Sequence, residues 1–138
     1  MNISARNQIK GKIESIQDGA VNAIVFLKTD CGDTLTATIS LAAVKELGLA
    51  SGKEATAVIK ATEVMIGNGE LKISARNQLA GEIVKVEEGA VNAVVTLKTN
   101  GGTVITSTIS LLAVKELGLA PGVKTKAVIK ATSVMIAV

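Results

Sequence analysis

The run Thr34-Leu35-Thr36-Ala37-Thr38-Ile39-Ser40-Leu41-Ala42-Ala43-Val44-Lys45-Glu46-Leu47-Gly48-Leu49 changes its period partway along. Up to Ile39, threonines alternate with Leu35, Ala37 and Ile39, which reads as a strand with one apolar face. From Ser40 the spacing lengthens. Leu41, Val44 and Leu47 share one face of a short helix, Ser40 is a good N-cap, and Gly48 is a stop. Upstream, Ile9, Gly11 and Ile13 alternate with Lys10, Lys12 and Glu14. Val21, Ala23, Val25 and Leu27 alternate with Asn22, Ile24, Phe26 and Lys28. Gln17-Asp18-Gly19 and Thr29-Asp30-Cys31-Gly32 supply the hairpin turns between them. Downstream, Ala55–Ala61 and Glu63–Ile66 read as two more strands. Five short strands with one helical turn between the third and fourth is the order of an OB-type barrel.

The same segments return 70 residues later. Ser4-Ala5-Arg6-Asn7-Gln8 becomes Ser74-Ala75-Arg76-Asn77-Gln78, and Gly19-Ala20-Val21-Asn22-Ala23 becomes Gly89-Ala90-Val91-Asn92-Ala93. Val44–Leu49 returns at 114–119, and Val58–Thr62 at 128–132. About 41 of 67 aligned pairs are identical, with no gap. The expected architecture is therefore all-β: two tandem OB-type five-stranded β-barrels, each with one short helix, over residues 1–67 and 72–138, with a short linker at 68–71. A 70-residue barrel has a small core. Its outer strand faces here carry Thr, Val and Ala, so the barrels are expected to pack on one another.

Composition excludes many chemistries. Apolar residues make up 48% and charged residues 20%, a globular balance. The chain has no His, no Trp, no Tyr, one Phe and one Cys. His-based acid–base catalysis, Ser-His-Asp and Cys-His nucleophiles and His or paired-Cys zinc sites are excluded. A Ser–Lys pair is a poor alternative, because an ordinary lysine is a weak base without deep burial; no enzyme is expected. Single-stranded nucleic acid needs aromatic stacking platforms. Phe26 stands alone and becomes Thr96 in the second copy. Asp30 and Asp33 flank a turn but become Asn100 and Thr103, so no calcium or magnesium site is expected and no metal ligated directly by protein. Cys31 becomes Gly101, which marks a turn position. The N-terminus lacks the pattern of a signal peptide, and no apolar run approaches the roughly 20 residues that span a bilayer. The expectation is a soluble cytoplasmic protein without nucleic-acid or membrane partners.

The net charge of +3 suits a small anionic ligand. Arg6 and Arg76 are the only arginines among 15 Lys and Arg residues, and both lie in the Ser-Ala-Arg-Asn-Gln motif. Arginine offers a planar fork of donors that matches a tetrahedral oxyanion. Ser4 and Arg6 are two apart, so in a strand they share a face. Lys60 is a charge in the apolar strand Val58–Thr62; it either reaches solvent or meets an anion. Ser40 stands at a helix start, where free N–H groups favour negative charge. Plainer readings stand beside these: Ser40 as an N-cap only, Lys60 as a solvated strand residue, Arg6 paired with Glu14 or Glu63. A nucleic-acid-binding module and a purely structural interaction protein remain the alternatives.

In combination, Ser-Ala-Arg-Asn-Gln-(Ile/Leu)-x-Gly, Gly-Ala-Val-Asn-Ala, Ile-Ser…Leu-Gly-Leu and Val-Ile-Lys-Ala-Thr resemble the molybdate-binding Mop domain, also called a TOBE-type domain. Two copies with nothing else resemble a di-domain molbindin. The resemblance implies a cytoplasmic protein that binds molybdate or tungstate for storage or homeostasis, with no catalytic cofactor. It implies a ring of six domains, hence a homotrimer, with the oxyanions at interfaces between domains. By position it implies binding by Ser4, Arg6, Ser40, Ala43 (through its backbone) and Lys60, and by Ser74, Arg76, Ser110, Ala113 and Lys130. The loops Gly19, Ala20, Val21, Asn22 and Gly89, Ala90, Val91, Asn92 are candidates for a second class of site through backbone N–H groups. Relatives that regulate transcription or drive transport carry a helix-turn-helix or a phosphate-binding loop, and this sequence has neither. Thr62-Glu63 stands where relatives often carry Pro-Trp.

Overall fold

The computed structural model describes residues 1–138. The first repeat forms strands β1 (Asn7–Asp18), β2 (Asn22–Thr29) and β3 (Thr34–Ser40), helix α1 (Leu41–Glu46), strand β4 (Glu54–Ile59), a 3-10 turn at Ala61–Glu63 and strand β5 (Met65–Gly67). The second repeats it: β6 (Asn77–Glu88), β7 (Asn92–Thr99), β8 (Val104–Ser110), α2 (Leu111–Glu116), β9 (Lys124–Ile129), a 3-10 turn at Ala131–Ser133 and β10 (Met135–Ala137). The fold is thus mostly strand, as two curled five-stranded half-barrel sheets with two short helices.

The period-two segments form the strands because alternate residues fill the core. Ile9, Ile13, Ala23, Val25, Leu27, Leu35 and Ala37 are all buried. A Cβ at Gly11 would strike the carbonyl oxygen of Lys28, so only glycine lets β1 and β2 approach here. The β1–β2 register slips between Ile13 and Ser15, and the β6–β7 register between Ile83 and Lys85. Such a bulge bends its strand and helps the sheet curl. In α1, Ser40 Oγ accepts from the Ala43 N–H (3.1 Å), Val44 is buried, and Gly48 (φ +62°) follows the helix. Leu41 and Leu47 pack against the core.

Several local expectations need correction. Val21 falls in the alternation of Ala23, Val25 and Leu27, but it precedes β2 and is 74% exposed. The strand expected over Ala55–Ala61 stops at Ile59, and Lys60 begins a 3-10 turn. Lys60 is therefore not a charge inside an apolar strand but the residue that leaves it. Glu63 ends the turn and does not open a strand. Ser4 and Arg6 precede β1, so strand alternation does not place them.

The largest difference lies in topology. One sheet runs β10-β4-β1-β2-β3 and the other β5-β9-β6-β7-β8. Each repeat gives its last strand to the other: Met135 pairs with Val58, and Met65 with Val128. The core follows suit. Its 23 buried residues, from both repeats, form one continuous cluster. Val64 and Val134, just ahead of the exchanged strands, are each 1% exposed, and burying such a side chain contributes about 1.5–3 kcal/mol.

Buried polar groups tie the repeats further. Asn7 Nδ2 donates to the Thr106 carbonyl and Asn7 Oδ1 accepts from the Thr106 N–H, both at 2.8 Å. Asn77 makes the same pair of bonds with Thr36. Each asparagine thereby extends a strand edge of the other repeat. Thr99 and Thr103 hydroxyls both donate to Asp33 Oδ2, joining the two β-hairpin tips.

Candidate functional site

Asn7 fixes what precedes it. Anchored on β8, it holds the segment Ile3–Arg6, exposed except at Ala5, beside the turn that follows β4. Ser4, Arg6, Lys60, Ala61 and Thr62 line one open cavity of about 330 Å³. Its far wall is Thr108 of β8 and Met135 of β10, both from the second repeat.

A second cavity of about 450 Å³ lies at the equivalent place. Ser74, Arg76, Lys130 and Thr132 line it, with Thr38 and Met65 of the first repeat as its far wall. Each cavity has nine lining residues, and at the 70-residue offset the nine types are the same. Neither lining includes a carboxylate. Both cavities sit between repeats because the strand exchange carries Met135 and Met65 across.

The cations are uncommitted. The one ion pair in the chain joins Lys85 to Glu87, far from either lysine of the cavities in sequence. Arg6 pairs with neither Glu14 nor Glu63. Its charge is felt by Glu87, whose carboxyl is held below the usual range chiefly by a hydrogen bond from Lys85, then by the Lys85 charge, with a smaller part from Arg6. Arg6, Lys60, Arg76 and Lys130 are all solvent-exposed. Each cavity therefore gathers a guanidinium, an ammonium and three hydroxyls, which is a donor set for an anion.

The other candidates lie elsewhere. Ser40 and Ser110 are N-caps, each accepting from the backbone N–H of Ala43 or Ala113 at 3.1 Å. Neither the serines nor the alanines line the cavities of their own chain. They cluster instead with the glycine loops. Asn22 pairs with Ser40, and the Leu41 N–H donates to the Val21 carbonyl (2.8 Å). The Gly19 N–H is taken by the Asn22 carbonyl, and the Gly89 N–H by that of Asn92. Ala20, Val21 and Asn22 are exposed, as are Ala90, Val91 and Asn92.

Sequence reasoning missed Asn7, Thr108 and Met135. Asn7 carried a signal: it continues the inward series of Ile9, Gly11 and Ile13, where a polar residue must find buried partners. Thr108 and Met135 carried none, since their role depends on which repeat they face.

The chain matches the TOBE domain model twice, at residues 3–66 and 73–136. It is 40% identical over 139 residues to the molybdenum transport protein ModE of Azotobacter vinelandii, covering 100% of this chain and 52% of that protein. Thus the chain spans about half the length of the curated relatives it matches end to end. A single repeat, 49% of the chain, is 63% identical over 67 residues to a probable molybdenum-pterin-binding protein of Haemophilus influenzae, covering 97% of it. In structure the chain superposes on the cytoplasmic molybdate-binding protein ModG, in a crystal form with molybdate bound. The TM-score is 0.96 and the identity 47%, over 100% of this chain and 99% of that one.

Proposed function

Because the chain belongs to the TOBE-domain family, with the domain present twice, we propose that it binds molybdate, or its congener tungstate, reversibly and without chemical transformation. The observation that carries this reading is the pair of cavities lined by the same residue types, each with two uncommitted cations and no carboxylate. An anion with four oxo groups accepts hydrogen bonds from Arg6 or Arg76, Lys60 or Lys130, and the Ser4 or Ser74 hydroxyl. No protein atom needs to reach the metal. Cavity size would separate molybdate from sulfate, and a site without an acceptor would disfavour protonated phosphate. The likeness to a molybdate-bound structure supports the reading, as does the likeness to a molybdenum transport protein and to a probable molybdenum-pterin-binding protein. The role is that of a binding protein in storage or homeostasis, not of an enzyme.

The working assembly is a homotrimer of two-repeat chains in the cytoplasm. No helix is long and apolar enough to cross a membrane. Val21, Val91 and Leu112 are exposed by 74%, 73% and 64% around the helix starts, which favours their being covered by another copy. In that assembly the helix start at Ser40 and Ala43 of one copy faces an open Arg–Lys cavity of the next. The backbone and hydroxyl donors there then complete the oxyanion site, with the glycine loops as a second class.

Thermal melts test the binding. At a hundredfold excess over Kd, molybdate stabilises by about 2.7 kcal/mol through mass action, which is roughly 5–10 °C for a chain of this size. The Lys60→Gln, Lys130→Gln variant melts no lower than the parent without ligand, since exposed charges contribute little, and gains little from molybdate. Equal ligand-induced shifts in parent and variant would remove the lysines from the site.

A further inference from the structure

Two contacts between the repeats join residues 70 apart, the offset of the duplication. Thr103 Oγ1 donates to Asp33 Oδ2 (2.5 Å), and Ser133 Oγ donates to Glu63 Oε2 (3.2 Å). A residue that meets its own counterpart lies on the pseudo-twofold axis between the repeats. At both such places the first repeat supplies an acid and the second a hydroxyl. Two further contacts run the same way. Ser107 Oγ donates to the Val64 carbonyl (2.5 Å) and Thr125 Oγ1 to the Gly67 carbonyl (3.0 Å). The counterparts of Ser107 and Thr125 are Ala37 and Ala55, whose side chains have nothing to donate. Shape agrees with chemistry. A Cβ on Gly101 would lie 2.9 Å from both carboxylate oxygens of Asp33, and the first repeat carries Cys31 at that position.

We infer that these side chains form a pairing code: the surface of the first repeat fits a repeat with hydroxyls on the axis and glycine at the hairpin tip, and opposes a second copy of itself. A pair of first repeats would regain the strand exchange and the asparagine bonds, because Met65, Asn7 and their partners recur in both copies. It would also set Asp33 against Asp33 and Glu63 against Glu63, and leave the Val64 and Gly67 carbonyls without their hydroxyl donors. Carboxylates brought to one place repel. A pair of second repeats meets no such opposition, but each one leaves two first repeats with only each other. One repulsion therefore disfavours both wrong pairings, which is how a built-in clash creates specificity. Repeats this alike, which exchange the same Met-Ile strand, are otherwise prone to swap between chains. The partner that the first repeat fits is the second repeat, and the asymmetry of the axis keeps the two together.

Thermal melts of the full chain near neutral pH test the code as a cycle of substitutions. Thr103→Asp puts acids on both sides of the axis and lowers the melting temperature by about 5 °C or more. Adding Asp33→Thr and Cys31→Gly moves the acid to the other repeat and gives it room, and most of the loss returns. A triple variant no more stable than Thr103→Asp alone would overturn the proposal, since two unrelated hydrogen-bonding positions give no such rescue. Selectivity is read by letting one residue choose its partner. Met65 pairs with Val128; in a pair of first repeats it would lie on Val58. A chain with Cys31→Ser, Met65→Cys, Val58→Cys and Val128→Cys is cut at a protease site placed between Gly69 and Glu70, unfolded in urea, refolded and oxidised. Cross-links between unlike halves then exceed those between first halves by about tenfold or more. With Asp33→Thr and Glu63→Ser added, that excess falls severalfold. Cross-links in the proportion that random pairing gives, with the acids in place, would overturn the proposal.

Discussion

The Arg6→Ala, Arg76→Ala variant should fold as the parent does and lose molybdate affinity by roughly one to two orders of magnitude at each site. Neither arginine makes a hydrogen bond or an ion pair within the chain, and both are exposed. Substitution at such positions changes stability by about 0.5 kcal/mol or less. The contact to an oxyanion is another matter. A charge-assisted hydrogen bond is worth about 1.5–3 kcal/mol, and each 1.4 kcal/mol is about tenfold in Kd. Calorimetry on the double variant, beside its melting curve without ligand, separates the two effects. Unchanged affinity in a folded double variant would place the anion elsewhere.

A second large effect is expected from cutting the chain. Residues 1–70 alone should not persist as a folded monomer. In the intact chain β4 is flanked by β10 on one side, and β5 lies on β9, so the fragment has an open sheet edge and a strand with no acceptor. Asn7 loses its two bonds to Thr106. A buried pair left unsatisfied costs about 1–3 kcal/mol per group, and a chain this short has little margin. Two fragments can repair all of this by exchanging β5, since the repeats match so closely. Light scattering should therefore give no folded species below twice the fragment mass, with a melting temperature that rises with concentration, and six fragment masses where exchanged pairs associate as proposed for three intact 14.1 kDa chains. A concentration-independent fragment monomer would show that the exchange is not needed for folding.

Most of the architecture was legible because it is written in local periods. Leu35, Ala37 and Ile39 announce a strand, and Leu41, Val44 and Leu47 a helix, without reference to anything distant. The partner of β5 was not legible. Met65-Ile66 and Met135-Ile136 are the same dipeptide in the two copies, so the pattern fits either sheet. The same blindness hid Thr108 and Met135, which reach the cavity from the other repeat. In the sequence Lys60 reads as a charge within a strand, and it is the first residue beyond one. Ser40 shows the opposite case. Its N-cap bond to Ala43 was readable from sequence, and that bond is what occupies it within the chain. Any role toward an anion depends on a neighbouring copy, which a single chain does not encode locally.

The central claim is that each cavity takes up a tetrahedral oxyanion by size and charge. Equilibrium dialysis of the wild-type protein against molybdate and sulfate together, with metal and sulfur analysis of the retained fraction, tests it most directly. At least two molybdenum atoms should be retained per chain, one for each Arg–Lys cavity, in the presence of excess sulfate, with no retained sulfate. Retention of neither anion, or of sulfate as readily as molybdate, would contradict it.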